Sequence, residues 1–298
     1  VSQDLLFRVP LRPSSGSVDV NQNIGSSKNP GIEIQLGYNA IRKSNFDWRI
    51  DLNLTHLKNE VTKLPPTQTE NGIVSGTKKI SIGHSIFDFW LKEFAGVDAA
   101  NGEALFYKDI LDADGKPTGE KVLTNNINNA SFYYFGSAIP DINGGLTNSF
   151  RYKDFDLSIL MTFAYGGLFY DGNYEGLMSA SGYGTALHAD IAKRWQQPGD
   201  VTTVPKLQNA VSNQEGQSSR FLFDGSYLNI KNVTLSYTFS RSLTNRMHIA
   251  GAKVFGNIDN IHLFTAKKGM DPQRAFTGTS DASYPPFRIF TVGVNVNL

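Results

Sequence analysis

Cysteine is absent from this chain of 298 residues, and charged side chains are scarce at 18%. Without cysteine the protein can hold no disulfide framework, no thiolate zinc site and no cysteine nucleophile. Its 28 basic and 27 acidic residues nearly balance, which argues against a protein that binds nucleic acid. A water-soluble surface usually carries more charge than this, so the composition already points to an unusual surface.

Long apolar runs are also missing. The longest one, LSILMTFAYGGLF over residues 157–169, is shorter than the roughly 20 residues that a transmembrane helix requires. No signal peptide is visible and residue 1 is a valine, so we expect either a mature chain or a piece of a longer one.

Several segments do carry a large apolar residue at every second position. FDWRIDLNLTHLK, residues 46–58, alternates in this way, and so does the closing stretch FRIFTVGVNVNL, residues 287–298. Alternation of period two predicts β-strands with one apolar face and one polar face. Such strands suit a soluble sheet packed on a core, or a membrane barrel with lipid outside and a wet lumen inside.

Local signals place a tight turn and a bulge within these strands. Lys153 and Asp154 separate Tyr152 from Phe155 in LTNSFRYKDFDLSILMTFAY, which predicts a hairpin with a two-residue turn. The alternation of YLNIKNVTLSYTFS slips at residues 231–232, which predicts a bulge or the beginning of a new strand there.

The connections between the predicted strands alternate between short and long. The stretches 59–143, 166–226 and 265–286 are longer than the loops of a compact soluble domain. Outer-membrane barrels, in contrast, have short periplasmic turns and long extracellular loops. Aromatic residues cluster near the short-turn ends, where a membrane interface would place them. The long stretches also contain a predicted turn at Asp114-Gly115 and helical spacing in GTALHADIAKRW, so we expect them to be folded.

A series of segments resembles the SusC/RagA-type TonB-dependent outer-membrane transporters of the Bacteroidetes. In chain order they are DLLFRVPLRPSSG, NIGSSKNPGIEI, FDWRIDLNLTHLKNEV, FAGVDAANGEALFYKD, IPDINGGLTNSFRYKDFDLSILMTFAYGG, RWQQPGD with VPKL, SYLNIKNVTLSYTFS, NIDNIHLFT with GMDPQ, and the closing strand. The resemblance implies an all-β fold, namely the C-terminal strands of a transmembrane antiparallel β-barrel of roughly 22 strands with long extracellular loops. Residues 1–298 would be the C-terminal part of that barrel, with the plug domain and the early strands outside this sequence.

The resemblance also implies a function and partners. Such transporters import oligomeric nutrients, glycans or oligopeptides, across the bacterial outer membrane. The implied partners are a SusD/RagB-like surface lipoprotein that acts as a lid, TonB acting through the missing N-terminal part, and outer-membrane lipid. Two other classes stay open: a small self-contained outer-membrane barrel acting as an adhesin or surface enzyme, and a soluble carbohydrate-binding β-sandwich.

Catalytic, cofactor and metal sites are not expected. The chain has no HExxH pair, no GxSxG elbow and no GxxxxGK[ST] loop. The acidic residues of KDILDADGKPTGE lack the spacing of an EF-hand and predict a polar hairpin tip.

Aromatic residues in the predicted outer loops are the candidates for ligand contact, because aromatic faces stack on sugar rings and bury apolar parts of peptides. They are Trp90, Phe94, Tyr133 and Tyr134, with lumen-facing Arg49 and Asp51 as further candidates. The alternative is that these rings pack the loops on one another or on the lipoprotein. For each residue taken singly, the pattern favours that alternative.

Overall fold

The computed structural model describes residues 2–10, 16, 19–179, 184–208, 216–280 and 284–298, and strands dominate it. The strands are Ser2–Pro10 (β1), Asp19–Lys28 (β2), Gly31–Lys43 (β3), Phe46–Leu57 (β4), Glu60–Lys63 (β5), Ile73–Ser75 (β6), Lys78–Ile80 (β7), Asp88–Lys92 (β8), Phe94–Val97 (β9), Ala104–Leu111 (β10), Pro117–Thr124 (β11), Phe132–Ser137 (β12), Ile142–Tyr152 (β13), Phe155–Tyr165 (β14), Leu168–Tyr170 (β15), Leu222–Asp224 (β16), Tyr227–Thr238 (β17), Gly251–Thr265 (β18) and Ile289–Asn297 (β19).

Helices are short. The two α-helices are Gly172–Met178 (α1) and Arg241–Arg246 (α2), and the 3-10 helices are Pro66–Gln68, Ile127–Asn129, Ala189–Lys193, Ser219–Phe221 and Pro272–Arg274. Within the described ranges, none of the helices has the length and apolar character needed to cross a bilayer.

Seven strands form one antiparallel sheet, which we call the wall, in the order β3-β4-β13-β14-β17-β18-β19. The connections that join β3 to β4, β13 to β14 and β17 to β18 all lie at one end of the wall. The predicted two-residue turn is confirmed there, because Tyr152 pairs with Phe155 and Lys153 takes a φ of 52°. The three long connections all leave from the opposite end, so the predicted separation of short turns from long loops is confirmed.

The wall keeps its apolar residues on one face because its strands pair in register. One row across the sheet joins Val292, Gly256, Leu235, Leu157, Phe150 and Trp48. The apolar face is exposed: Val292 is 81% accessible, and no second sheet covers it within the described part of the chain. The β-sandwich alternative would need such a covering sheet. The wall is also open, with β3 and β19 as its outer strands, and does not close into a small barrel by itself.

The predicted slip in the alternation is a bulge. The pairing of β17 shifts between Ile230 and Asn232 opposite β18, and between Leu160 and Met161 opposite β14. The bulge therefore keeps Leu228 and Val233 on the same apolar face, although the two residues differ in phase along the sequence.

The three long connections fold together at the end of the wall opposite the short turns, and we call their described residues the outer unit. Phe89 and Leu91, from the first connection, pack into one core with residues of the second: Tyr170, Met178, Val204 and Phe221. The third connection joins them through backbone bonds, since the Tyr170 N–H donates to the carbonyl of Gly278 at 2.7 Å. The expectation that these long stretches are folded is confirmed.

Contacts between the first and second connections include an indole packed on backbone. The Trp195 Nε1–H donates to the carbonyl of Ala99 at 3.0 Å, and the ring covers Gly102, where a Cβ atom would lie 2.4 Å from it. Gly102 also takes a φ of 75°, so this contact requires glycine. The helical spacing in GTALHADIAKRW corresponds only to the 3-10 helix that begins at Ala189, because Trp195 turns instead toward this contact.

Candidate functional site

Two of the predicted candidates share one face of a small sheet in the outer unit. Trp90 of β8 lies opposite Tyr134 of β12, with ring centroids 4.6 Å apart. Alternation along β12 puts Phe132 on this face too, and it stacks on Trp90 with centroids 5.9 Å apart and planes inclined by 8°. On the other side, Tyr134 stacks on His84 at 3.7 Å. We call these four rings the aromatic row.

Lysines lie over the aromatic row. The Nζ of Lys79 is 4.3 Å from the Trp90 ring centroid, and the Nζ of Lys92 is 5.1 Å from that of Phe132. These distances are within the range of cation–π attraction. Burial lowers the pKa of Lys92, so the ammonium group of this lysine is partly stripped of water.

The hydrogen bonds beside the row fix two of its rings. The hydroxyls of Tyr134 and Ser81 are 2.5 Å apart, and burial raises the pKa of Tyr134. The Nδ1 of His84 lies 3.1 Å from the carboxylate of Asp88, which also accepts from the backbone N–H of Ser85.

Tyr133 and Phe94 lie elsewhere. Tyr133 is on the other face of β12, where its hydroxyl donates to Asp109 at 2.5 Å and Lys121 lies over its ring. Burial, followed by that hydrogen bond, raises the pKa of Tyr133 to about 12. Phe94 packs edge-on against the buried ring of Phe106 at 5.9 Å. The contacts of these two residues are those of packing between strands.

Arg49 and Asp51 lie on the polar face of the wall, away from the outer unit. They form a bidentate ion pair, with contacts of 2.6 and 2.8 Å, and both side chains are about half exposed. Gly37 on the neighbouring strand leaves room for this pair, because a Cβ there would lie 3.0 Å from each side chain. Further ion pairs on the same face join Arg151 to Asp47 and Lys253 to Asp156.

A second polar group of the wall was missed by the sequence analysis. Asn232, Thr234, Asn257 and Asp259 are joined by hydrogen bonds of 2.6–3.0 Å across β17 and β18. Alternation along β17 puts Thr234 on the face opposite Val233 and Leu235, but its neighbours on β18 depend on the register of the bulge.

A cavity of about 240 Å³ lies where the second and third connections meet. Lys267 reaches into this junction, over the ring of Tyr174 and 3.5 Å from Asp171. Burial lowers the pKa of Lys267 to about 8, and Asp171 opposes that shift. The hydroxyl of Tyr174 donates to Asp190 at 3.0 Å, and burial together with this bond raises the pKa of Tyr174 to about 12.

The described residues contain no group of three or more histidine or carboxylate side chains placed to hold a metal ion. The hairpin tip at residues 112–116 instead closes on itself. Asp112 accepts from the backbone N–H groups of Asp114 and Lys116 at 3.0 and 2.9 Å, and Gly115 takes a φ of 77°. The predicted Asp-Gly turn is therefore confirmed.

Comparison with known proteins identifies relatives along the whole chain. No family model matches it. A TonB-dependent receptor of Formosa agariphila is 28% identical over 317 residues, which cover 99% of this chain and 31% of the receptor. The TonB-dependent receptor SusC of Bacteroides thetaiotaomicron is 25% identical over 309 residues, covering 99% of this chain and 29% of SusC.

A solved structure agrees with these relatives. The structure of the RagAB peptide transporter superposes with a TM-score of 0.83 at 25% identity, covering 99% of this chain and 32% of that one. The chain spans 29–32% of the length of these three proteins. The predicted fold class, a transmembrane antiparallel β-barrel segment with long loops, is confirmed. The resemblance of this chain to the SusC/RagA-type TonB-dependent transporters is likewise confirmed.

Proposed function

We propose that this chain forms the C-terminal barrel wall and outer loops of a transporter that imports oligomeric nutrients across the bacterial outer membrane. TonB drives this import through parts of the transporter that lie outside the described chain, and a SusD/RagB-like surface lipoprotein serves as the lid. The cargo is a glycan or an oligopeptide.

The exposed apolar face of the wall is the observation that carries this proposal. Val292, Val294 and Val296 are 81%, 63% and 50% accessible. Leaving such valines in water costs free energy, at roughly 25 cal/mol for each Å² of apolar surface. A bilayer removes that cost, and the other face of the same strands carries Thr291, Asn295 and paired charges that suit a wet interior.

The outer unit supports the role of the long connections. It is a folded body with its own core and lies beyond the end of the wall from which those connections leave. A body in that place can contact cargo before it enters the barrel and can support a lid. RagAB is a peptide transporter, and that relative supports an oligomeric cargo for this chain.

We assign the chain no catalysis. Its predicted polar candidates are paired with one another: Arg49 with Asp51, and Tyr133 with Asp109. The relatives are named as receptors and a transporter, which agrees with this assignment.

The experiment is an uptake assay in the native bacterium, with the full-length gene deleted and then restored. Deletion should abolish accumulation of fluorescent oligomers supplied as separate glycan and peptide pools, and inactivation of TonB should have the same effect. Restoration with the unchanged gene should recover uptake. Uptake that survives the deletion, or a protein that fractionates outside the outer membrane, would contradict the proposal.

The lid is tested separately. Affinity purification of the full-length transporter from solubilised outer membranes should recover a lipidated surface protein in near-stoichiometric amount by intact-mass analysis. Recovery of the transporter alone, under conditions that preserve uptake in intact cells, would remove the lipoprotein from the proposal and leave the importer role standing.

A further inference from the structure

The aromatic row lies on one face of the small sheet and is partly open to solvent. Its four rings follow one another at centroid distances of 3.7, 4.6 and 5.9 Å along one sheet face. Phe132 is 42% exposed, and Trp90 and Tyr134 are half-buried. A row of several rings suits a ligand that repeats along its length better than a single small molecule.

The opposite face of β8 is buried in the core of the outer unit, which fixes the position of the row. Phe89 and Leu91 alternate with Trp90 along β8, and both are fully buried in the core of the outer unit. The hydroxyl contact between Tyr134 and Ser81 fixes the edge of one ring. A platform that is already ordered loses little conformational entropy when a ligand binds to it.

The charge beside the row favours an anionic ligand. The ammonium groups of Lys79 and Lys92 lie above rings of the row, and neither makes an ion pair within 4 Å among the described residues. Asp88, on the same strand face, is already engaged by His84 and by the backbone of Ser85. A carboxylate or sulfate placed over the rings would therefore meet two ammonium groups, one of which is partly desolvated.

We propose that the aromatic row, with Lys79 and Lys92, binds acidic oligosaccharides by packing sugar rings on the exposed side of Phe132 and against the ring edges of Trp90 and Tyr134, while the lysines contact carboxylate or sulfate groups. Extended peptides bind mainly through sheet edges and side-chain pockets. The row instead lies on the face of a sheet, which offers partly exposed rings and ammonium groups but no backbone hydrogen bonds. The inference rests on the proposed import of oligomers and specifies their chemical class.

The test is calorimetric titration of the purified full-length transporter with a galacturonic acid hexamer as the probe. Trp90→Ala should weaken binding about tenfold, because it removes the ring on which Phe132 and Lys79 pack, and Trp90→Phe about twofold, because phenylalanine keeps part of that apolar surface. Lys92→Gln should weaken binding about threefold and reduce its dependence on salt concentration. Each variant must keep the heat-modifiable gel mobility of a folded barrel.

Matched controls separate the row from other exposed residues. Tyr284→Ala removes an aromatic ring that is 84% exposed, and Lys63→Gln removes an exposed lysine of β5, so neither should change the affinity. A neutral xylose hexamer should bind the unchanged protein more weakly than the galacturonic acid hexamer.

Three results would overturn the inference. The first is that Trp90→Ala binds the acidic hexamer as tightly as the unchanged protein does, and the second is that the unchanged protein binds the acidic and neutral hexamers equally well. The third is that a glutamate hexapeptide competes for the same site with an affinity equal to that of the acidic hexamer. If uptake in the native bacterium still depends on TonB, any of these three results contradicts the ligand inference but leaves the proposed import function standing. Loss of the proposed function would show instead as TonB-independent uptake of every oligomer in the native bacterium.

Discussion

The wall and the outer unit use apolar residues in opposite ways. On the wall, Val292 is 81% accessible, although it sits in the middle of a regular strand. In the outer unit, Phe89 alternates in the same manner along β8 and has no accessible surface. Alternation of period two specifies two faces in both cases, but it does not specify what lies against the apolar one.

The difference follows from the medium that each region meets. In the outer unit, water surrounds the loops, so apolar side chains gain free energy only by packing on one another. The wall meets hydrocarbon, which accepts apolar side chains without a second protein layer. The two regions should therefore respond to different substitutions. Loss of a buried ring should destabilise the outer unit, and a charge on the apolar face should destabilise the wall.

The largest effect is expected in the core of the outer unit. Phe89→Ala should lower its local stability by about 3–5 kcal/mol, because the lost ring leaves a cavity beside Leu91 and Tyr170. Hydrogen exchange of β8 amides in the folded transporter would measure this loss. Leu111→Ala, at an exposed hairpin position, is the control and should change exchange by less than about 0.5 kcal/mol. Equal effects of the two substitutions would show that the outer unit has no core of its own.

On the wall, a charge should distinguish the two faces. Val292→Lys should destabilise the barrel by about 2–4 kcal/mol, because it places an ammonium group against hydrocarbon. Thr291→Lys, one residue away on the polar face, should have an effect near zero. Refolding into lipid vesicles in a urea series would measure both. If the two lysines cost the same, the valine face does not meet lipid.

A polar pair on the apolar face provides a smaller test. The Trp48 Nε1–H donates to the Asn148 side-chain oxygen at 3.1 Å, and the indole also stacks on Phe150. Trp48→Phe keeps the stacking but removes the donor, and should cost about 1–2 kcal/mol. Adding Asn148→Leu should recover most of that loss, as the double-mutant cycle in the same refolding assay would show. Strict additivity of the two substitutions would mean that the hydrogen bond carries no energy.

The smallest effect concerns pH and the junction of the loops. The folded protein holds the Lys267 proton with a pKa of about 8, below the ordinary 10.5, because burial outweighs Asp171. The unfolded chain therefore binds more protons between these values, and the contribution of Lys267 to stability rises with pH from about 8 toward 10.5.

The measurement compares the unchanged protein with Lys267→Met. The difference in melting temperature of the outer unit, followed by protease sensitivity, should shift in favour of the unchanged protein by about 2–4 °C between pH 7.5 and 9.5, which corresponds to roughly 1 kcal/mol. Lys78, whose pKa burial also lowers to about 8, is present in both proteins and cancels. A constant difference across that interval would contradict the assignment.

Much of the wall could be predicted from local pattern. Alternation in residues 46–58 and 287–298, the turn at Lys153-Asp154 and the slip before Asn232 all have local causes, and the structure shows each of them. The candidate site was predicted less well. Parity along β12 already separates Tyr133 from Tyr134, but the partners of each ring come from distant parts of the chain.

Phe132 and His84, which were not among the predicted candidates, show why the site was harder to predict than the wall. Phe132 shares the parity of Tyr134, so alternation could have indicated it. His84 belongs to the row, and Lys79 lies over it, only because the turn before β8 and strand β7 fold back on that face. No spacing in the sequence encodes that return.

The sequence by itself determined which side chains share a face of each strand and where the short turns fall, because both depend on neighbouring residues and on the period of the extended backbone. The tertiary structure alone decided that three connections far apart in the chain build one core, and that Trp90 and Tyr134 meet while Phe94 and Tyr133 lie elsewhere. Those outcomes depend on the packing of residues tens to hundreds of positions apart, which local alternation does not constrain.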